Sequence, residues 1–255
     1  MTSPLRRPLI AGNWKMNLTL AQSVDLARAV KDGAPSASGE VAVFVPFTAL
    51  TVVAEILRGG PVRLGAQDVC WEAAGAFTGE ISSGMLVDAG CRMVLIGHSE
   101  RRRLYGETDE HVNKKLGAVL KAGLTPIVCV GETLDERESQ KTWRVLEAQI
   151  TGGLQGFAPA DLSKIVVAYE PVWAIGTGKT ASPAQAQEAH NFVRRQLEKL
   201  HGKNFASGAR VLYGGSVTAD NADSLMAQPD VDGALVGGAS LKKDAFLRIM
   251  GFKAA

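Results

Sequence analysis

The chain has 255 residues, 46% of them hydrophobic and 21% charged, so it is long enough to bury a sizeable core, and we expect one domain over residues 1–255. The formal net charge of only +2, with no basic run longer than Arg101-Arg102-Arg103, argues against a nucleic-acid partner. The apolar run near the N-terminus, Leu9-Ile10-Ala11, is too short for a signal peptide, and no later run is long enough to span a membrane.

Short apolar runs alternate with amphipathic stretches from one end of the chain to the other. The runs are mostly continuous rather than alternating with polar residues, which is typical of strands covered on both faces. They predict eight strands, at Leu9–Asn13, Val41–Val45, Val62–Ala66, Met93–Ile96, Pro126–Val130, Ile165–Tyr169, Arg210–Tyr213 and Gly233–Val236.

The stretches between these strands predict helices. The clearest covers Pro183–Leu200, where Ser182 is suited to the N-cap and Pro183 to the first helical position. Thr19 is placed to cap the first helix. The apolar positions at helical spacing are Val24, Ala27 and Val30 in the first helix, Trp143, Leu146 and Ile150 in a later one, and Ala186, Ala189, Val193, Leu197 and Leu200 in the clearest one.

Eight strand–helix units without a linker predict an α/β fold, a closed (β/α)8 barrel of parallel strands surrounded by helices. An open doubly wound sheet is the alternative. In such a barrel the chemistry lies at the carboxyl ends of the strands. The side chains that follow the predicted strands are therefore the candidates for a functional site.

Glu170 follows the sixth predicted strand and is the most informative of these candidates. Pro171 cannot continue a strand ladder, so the chain leaves the sheet directly after this carboxylate. An apolar segment with two glycines, Gly176 and Gly178, then precedes the helix that begins near Pro183. A carboxylate followed by such a segment indicates an acid or base beneath a lid that excludes water.

Further candidates follow the first and fourth predicted strands. Lys15, beside Asn13, would reach the barrel mouth and balance a phosphate or polarise a carbonyl oxygen; a surface lysine and a Schiff-base lysine are the alternatives. An acid–base or carbonyl-polarising role for His98 is favoured over a structural one, because Glu170 would lie across the mouth. Glu100 either orients Lys15 or His98, or shuttles protons, or forms an ordinary ion pair with Arg101 or Arg102.

Glycine pairs follow the last two predicted strands, Gly214-Gly215 before Ser216 and Gly237-Gly238 before Ala239. Glycine lets a ligand approach backbone N–H groups closely, and phosphate sites after strands 7 and 8 are frequent in such barrels. Either pair alone would indicate only a tight turn. Two pairs on adjacent strands indicate a phosphate site.

The remaining histidines and the cysteines are interpreted as structural residues. The histidines outside the candidate site fall on predicted helices and match no metal motif; they are His111, His190 and His201. The three cysteines have no metal-ligand spacing and cannot all pair, which favours buried free thiols in a reducing, cytoplasmic compartment; they are Cys70, Cys91 and Cys129.

Six motifs lie in succession along the chain: Asn13–Asn17 (NWKMN), Gly75–Glu80 (GAFTGE), Gly97–Arg102 (GHSERR), Tyr169–Thr180 (YEPVWAIGTGKT), Tyr213–Val217 (YGGSV) and Leu235–Ser240 (LVGGAS). In their sequence and their order they resemble the triosephosphate isomerase family. Because they cover the chain from end to end, the resemblance is highly specific.

The resemblance implies a TIM barrel that interconverts D-glyceraldehyde 3-phosphate and dihydroxyacetone phosphate through an enediolate, with no metal and no organic cofactor. Glu170 matches the family's general base. His98 matches the electrophile that polarises the carbonyl group and shuttles protons between the oxygens. Lys15 matches the electrostatic group, with Asn13 assisting. Residues 171–181 match the closing lid, and the matching phosphate contacts are the backbone N–H groups of Gly176, Ser216, Gly237 and Gly238.

The resemblance also implies a homodimer, or the tetramer found in some thermophiles. Residues 75–80 match the loop that inserts into the partner, with Thr78 near the partner's Asn13. Phe77 would be an exposed aromatic side chain in a monomer, which fits burial in an interface. Glu80 and Arg101 are predicted to form an ion pair across that interface.

Other hypotheses compete with the isomerase. A barrel lyase or aldolase would use Lys15 as a Schiff-base nucleophile, which borohydride trapping with a carbonyl substrate would reveal. A non-catalytic phosphate-binding protein would be expected to lack Lys15, His98 or Glu170, and all three are present. A nucleotide-binding module is disfavoured because the sequence has no GxxxxGK[ST] motif and no GxGxxG after a strand.

Overall fold

The computed structural model describes residues 6–176 and 180–253, which form a closed barrel of parallel strands. Each strand pairs with the next along the chain, and the last pairs with the first. The predicted (β/α)8 barrel is thus confirmed, and the open-sheet alternative is wrong. The strands are β1 (Leu9–Asn13), β2 (Glu40–Val45), β3 (Arg63–Ala66), β4 (Met93–Ile96), β5 (Thr125–Val130), β6 (Val166–Tyr169), β7 (Arg210–Tyr213) and β8 (Gly233–Val236).

Helices follow the strands and cover the outside of the barrel. They are α1 (Leu20–Gly33), α2 (Leu50–Leu57), α3 (Ser83–Asp88), α4 (Ser99–Tyr105), α5 (Asp109–Lys121), α6 (Leu134–Glu138), α7 (Thr142–Leu154), α8 (Pro183–His201), α9 (Lys203–Gly208), α10 (Ala222–Met226) and α11 (Lys243–Met250). Short 3₁₀ turns at Ala34–Ser36, Phe47–Ala49, Val172–Ala174 and Gly238–Leu241 complete the connections.

The continuous apolar strands fill two cores. Alternate residues such as Leu9 and Ala11 of β1 point into the barrel, whereas Ile10 between them packs against the helices. Both faces of each strand are therefore removed from water, which accounts for the lack of polar alternation in the sequence. The barrel interior is filled by Leu9, Ala11, Ala42, Phe44, Met93, Leu95, Ile127, Cys129, Val166, Ala168, Leu212 and Leu235.

The predicted helix starts are confirmed at the side-chain level. The Thr19 hydroxyl accepts from the Gln22 N–H, and the Gln22 side chain accepts from the Thr19 N–H, which completes a capping box at α1. Ser182 forms the same motif with Gln185 at α8, where Pro183 is the first helical residue.

The predicted buried faces of the helices need three corrections. Val24 is only half-buried, because the apolar stripe of α1 is centred on Leu26 and Ala27 instead. Leu200 is 37% exposed, since the buried face of α8 ends one turn earlier, at Leu197. Trp143 is also 37% exposed, and its ring packs at 4.8 Å from that of Phe192 on the outer surface.

The sequence also led to expectations about membrane spans, cysteines and domain limits. Among the described residues, none of the helices is long and apolar enough to cross a bilayer. All three cysteines are buried and free. The predicted domain limits of 1–255 include residues 1–5 and 254–255, which lie outside the described ranges.

Candidate active site

A cavity of about 520 Å³ lies where the carboxyl ends of the strands meet. It gathers side chains from β1, β4, β6, β7 and β8, so residues far apart in sequence share one mouth. The predicted catalytic and substrate-binding residues that line it are Asn13, Lys15, His98, Glu170, Gly176, Ser216, Gly237 and Gly238. Of the predicted lid, Thr177, Gly178 and Lys179 lie outside the described residues.

Glu170 follows β6, and its side chain is 3% exposed. Its Oε1 lies 2.9 Å from His98 Nε2, and its Oε2 accepts from the Ser99 N–H at 2.9 Å. Burial acts to raise the pKa of this carboxyl, but His98 and the Ser99 N–H outweigh burial and hold the pKa below its usual value. At neutral pH the group is therefore a carboxylate, the form that can accept a proton.

His98 occupies the N-cap of α4 and is buried. Its Nδ1 accepts from the Glu100 N–H at 3.2 Å, so the ring proton belongs on Nε2. The positive end of the helix dipole also disfavours a second proton on the ring. Burial also acts to lower the pKa of the ring, but the Glu170 carboxylate outweighs burial and raises that pKa above its usual value. Nε2 carries the N–H donor and aims it at the position of Glu170 and of any ligand beside it.

Lys15 has a φ of +52°, in the left-handed region that non-glycine residues rarely occupy. Its N–H donates to Asn13 Oδ1 at 3.0 Å, and its carbonyl oxygen accepts from Gln67 Nε2 at 2.9 Å. The ammonium group lies 2.6 Å from Glu100 Oε1. Glu100 is thus paired with Lys15, and its other carboxylate oxygen, Oε2, lies 3.7 Å from His98 Nδ1.

Gln67 supports the backbone at Lys15, a contact that the sequence analysis missed. It follows β3, and its amide donates to the carbonyl oxygens of both Lys15 and Phe44, which ties β2, β3 and the Lys15 turn together. Its position directly after a strand is the same signal that identified Lys15 and His98, but its neutral side chain suggested no chemistry.

The glycines of the candidate phosphate end differ in what they do. A Cβ on Gly214 would lie 2.9 Å from Glu170 Cγ, and one on Gly215 would lie 2.3 Å from the Tyr213 hydroxyl oxygen. Close packing within the protein therefore requires glycine at these two positions. The sequence analysis had explained the glycines by the approach of a ligand. A Cβ on Gly238 would meet no atom within 4 Å, so space for an anion remains beside that backbone.

A buried network of charged side chains contacts the loop that carries His98. The sequence analysis did not predict this network. Glu107 accepts from the Gly97 N–H at 3.0 Å, directly before His98. The same carboxylate contacts Arg101 at 2.8 Å and Lys115 at 3.1 Å. Asp68 contacts both cations from the other side, at 2.9 and 2.6 Å. Four charges on separate elements thereby fix the loop that carries His98.

The predicted interface residues lie on an exposed surface. Residues 71–80 are all exposed, including Phe77, Thr78 and Glu80. Phe77, Glu80 and Arg101 line one cavity of about 260 Å³. Arg101 contacts two carboxylates of its own chain, Asp68 and Glu107. The ion pair between Arg101 and Glu80 of a partner stays a prediction.

Comparison with known proteins gives a consistent result. The model of the triosephosphate isomerase family matches residues 8–253. The triosephosphate isomerase of Geotalea uraniireducens is 53% identical over 249 residues, covering 97% of this chain and 99% of that protein. That of Pelobacter propionicus is 52% identical over 250 residues, covering 98% and 100%. The crystal structure of triosephosphate isomerase from Bartonella henselae matches with a TM-score of 0.86 at 43% identity, covering 95% of this chain and 97% of that one.

Proposed function

The chain belongs to the triosephosphate isomerase family, and we propose that Glu170, His98, Lys15 and Asn13 carry out its isomerisation. The reaction is the reversible interconversion of D-glyceraldehyde 3-phosphate and dihydroxyacetone phosphate, used in glycolysis and gluconeogenesis. The observation that best supports these roles is the 2.9 Å contact between Glu170 Oε1 and His98 Nε2 inside the cavity.

The proposed chemistry is a proton transfer between two adjacent carbons. Glu170 removes a proton from the carbon beside the carbonyl group, and the electron pair moves to the carbonyl oxygen to form an enediolate. His98 Nε2–H and the Lys15 ammonium stabilise the charge on the oxygens. His98 gives its Nε2 proton to the former carbonyl oxygen and takes one from the hydroxyl oxygen on the adjacent carbon, so the negative charge moves to that second oxygen. The protonated Glu170 then returns its proton to the former carbonyl carbon while the second oxygen becomes the new carbonyl oxygen. In the structure Oε2 accepts from the Ser99 N–H, and Oε1 faces His98 Nε2.

The substrate phosphate occupies the other end of the cavity in this proposal. The backbone N–H groups of Gly176, Ser216, Gly237 and Gly238 are its ligands, supported by the open space beside Gly238. Residues 171–181 close over it and keep water from the enediolate, a lid motion for which triosephosphate isomerase is the standard example.

We also propose that the protein is a homodimer, with a tetramer as the alternative, and that it is cytoplasmic. Exposed apolar side chains support the dimer, namely Phe77 at 46%, Met85 at 57% in the following helix, and Met16 at 94% beside Lys15. The free thiols support the compartment.

A coupled assay tests the assignment of the base. Glyceraldehyde 3-phosphate is supplied to the protein in the presence of EDTA, and formation of dihydroxyacetone phosphate is followed. Glu170→Gln should lower kcat by about 10²- to 10⁴-fold, because the amide cannot accept the proton. The exposed Glu138→Gln is the matched control and should retain full activity. No turnover by folded wild-type protein would refute the proposal, and an adduct on Lys15 after borohydride treatment would favour the lyase.

A further inference from the structure

The described lining of the cavity contains one lysine that the proposed mechanism does not use. Two lysines line it, Lys15 and Lys242. The Lys15 ammonium is paired with Glu100 at 2.6 Å. The ammonium of Lys242 has no carboxylate within ion-pair distance among the described residues, and its side chain is exposed. Among the residues that the structure describes, Lys242 therefore carries the charge at the mouth that no carboxylate offsets.

Lys242 is attached to the candidate phosphate end through its backbone. It follows the 3₁₀ turn Gly238–Leu241 and directly precedes α11. Its N–H donates to the carbonyl oxygen of Ala239 at 3.2 Å, which ties its position to the turn that presents the Gly238 N–H. The lysine thus lies at the rim of the cavity beside the proposed anion ligands, whereas the reacting carbons would lie beside Glu170.

The two carboxylates near the reacting end do not favour an approaching dianion. Glu170 and Glu100 carry two negative charges, and Lys15 carries one positive charge, so these three groups sum to −1. Lys242 brings the sum to zero. An exposed charge acts over about 8–10 Å at physiological salt, farther than a backbone N–H can reach. A flexible cation at the rim is suited to capture before the N–H groups bind.

We propose that Lys242 is a steering residue that attracts the substrate's phosphate dianion to the cavity mouth and delivers it to the backbone N–H groups of Gly237 and Gly238. This inference rests on the proposed function. Lys242 takes no part in the proton transfer. It should therefore affect how fast substrate is captured and leave the rate of the bound complex unchanged.

Steady-state kinetics with three variants test this role. Lys242→Gln should lower kcat/KM on the order of 3- to 10-fold at low ionic strength, with kcat within about twofold of wild type. Lys242→Arg keeps the charge and should restore kcat/KM. Lys243→Gln removes the adjacent lysine, which is also exposed but does not line the cavity, and should behave as wild type. The deficit of Lys242→Gln should shrink when ionic strength rises to about 0.2 M.

Binding of inorganic phosphate, measured by calorimetry, separates this inference from the proposed function. The dissociation constant should rise on the order of 3- to 10-fold in Lys242→Gln and stay unchanged in Lys243→Gln. Equal phosphate affinity and equal kcat/KM in these two variants would overturn the inference while leaving the isomerase intact. A fall in kcat with unchanged kcat/KM would also overturn it. If the wild type fails to turn over, the proposed function falls, and phosphate affinity still decides whether Lys242 attracts anions.

Discussion

Gly97 directly follows β4 and precedes His98. The backbone at this residue has no room for a side chain. Its φ is +71°, and a Cβ would lie 2.8 Å from Val112 Cγ2 and 3.2 Å from the carbonyl oxygen of Cys129. Gly97→Ala should therefore lower the free energy of unfolding by about 2–4 kcal/mol through combined backbone strain and overpacking. It should also lower kcat, because His98 is the next residue. Urea denaturation and the coupled assay measure the two effects.

Gly106→Ala is the control for that prediction. Gly106 ends α4 with a φ of +67°, but a Cβ there would meet no atom within 4 Å. The loss should be about 1–2 kcal/mol from backbone strain alone, with activity retained. Equal losses in the two variants would show that the space around Gly97 does not matter.

At this scale the sequence predicted which side chains meet at the mouth of the barrel, but not how they are paired. Lys15, His98 and Glu170 were identifiable because each follows a predicted strand. The partner of Glu100 was not, since a carboxylate at that position has both Lys15 and the neighbouring arginines within reach. The choice depends on side-chain conformations and on the Asp68–Glu107 network, which occupies Arg101. Such networks join residues distant in sequence and leave no local pattern.

Among the elements, α1 depends on its cap. The Thr19 hydroxyl satisfies the Gln22 N–H, which otherwise has no partner within the helix. Thr19→Ala should lower the free energy of unfolding by about 1 kcal/mol, measured by urea denaturation. Thr51→Ala, at an exposed position early in α2, removes the same atoms and should change stability by less than about 0.5 kcal/mol. A loss in both variants would mean that the cap is not the cause.

The limits of a strand could be predicted from the sequence where all its residues are apolar and buried. β1, β4, β7 and β8 match their predicted limits, because apolar runs there end where the barrel ends. β2 and β5 begin earlier than predicted, at Glu40 and Thr125, since a strand continues its ladder through polar residues that hydropathy does not register. Short helices such as α6 and α10 escaped prediction because five residues are too few to show helical periodicity.

At the scale of the whole molecule, the first prediction is that two copies of the chain form a dimer. Light scattering of the wild type should give twice the chain mass of 26.9 kDa. Phe77→Asp should shift the protein toward monomer at micromolar concentration, because a charge would be buried in the proposed interface. Leu200→Asp, at a comparably exposed apolar residue on α8, should remain dimeric. A monomeric wild type would contradict the proposed dimer.

The predicted ion pair between Glu80 and Arg101 of the two subunits has its own test. An absence of coupling in a Glu80→Ala/Arg101→Ala double-mutant cycle would reject it.

Global stability should also depend on pH through His190. This residue is fully buried, and burial lowers its pKa to about 4 from the usual 6.5. The unfolded chain therefore binds a proton that the folded protein excludes as pH falls from 6.5 toward 4. Stability should decline over that interval with a contribution of up to about 1.4 kcal/mol per pH unit. In His190→Gln this contribution should vanish, as measured by urea denaturation at several pH values. Parallel curves for the two proteins would contradict the prediction.

The closing of the barrel has a consequence for the order of events during synthesis. β1 pairs with β8 over four residues, from Leu9↔Gly233 to Gly12↔Val236, whereas β7 and β8 share a single pair, Tyr213↔Ala234. The last strand therefore depends mainly on the first, and a chain growing on the ribosome must keep one edge of β1 unpaired until β8 has emerged. Any nascent chain, and any product truncated before Gly233, presents two open sheet edges that can pair with other chains.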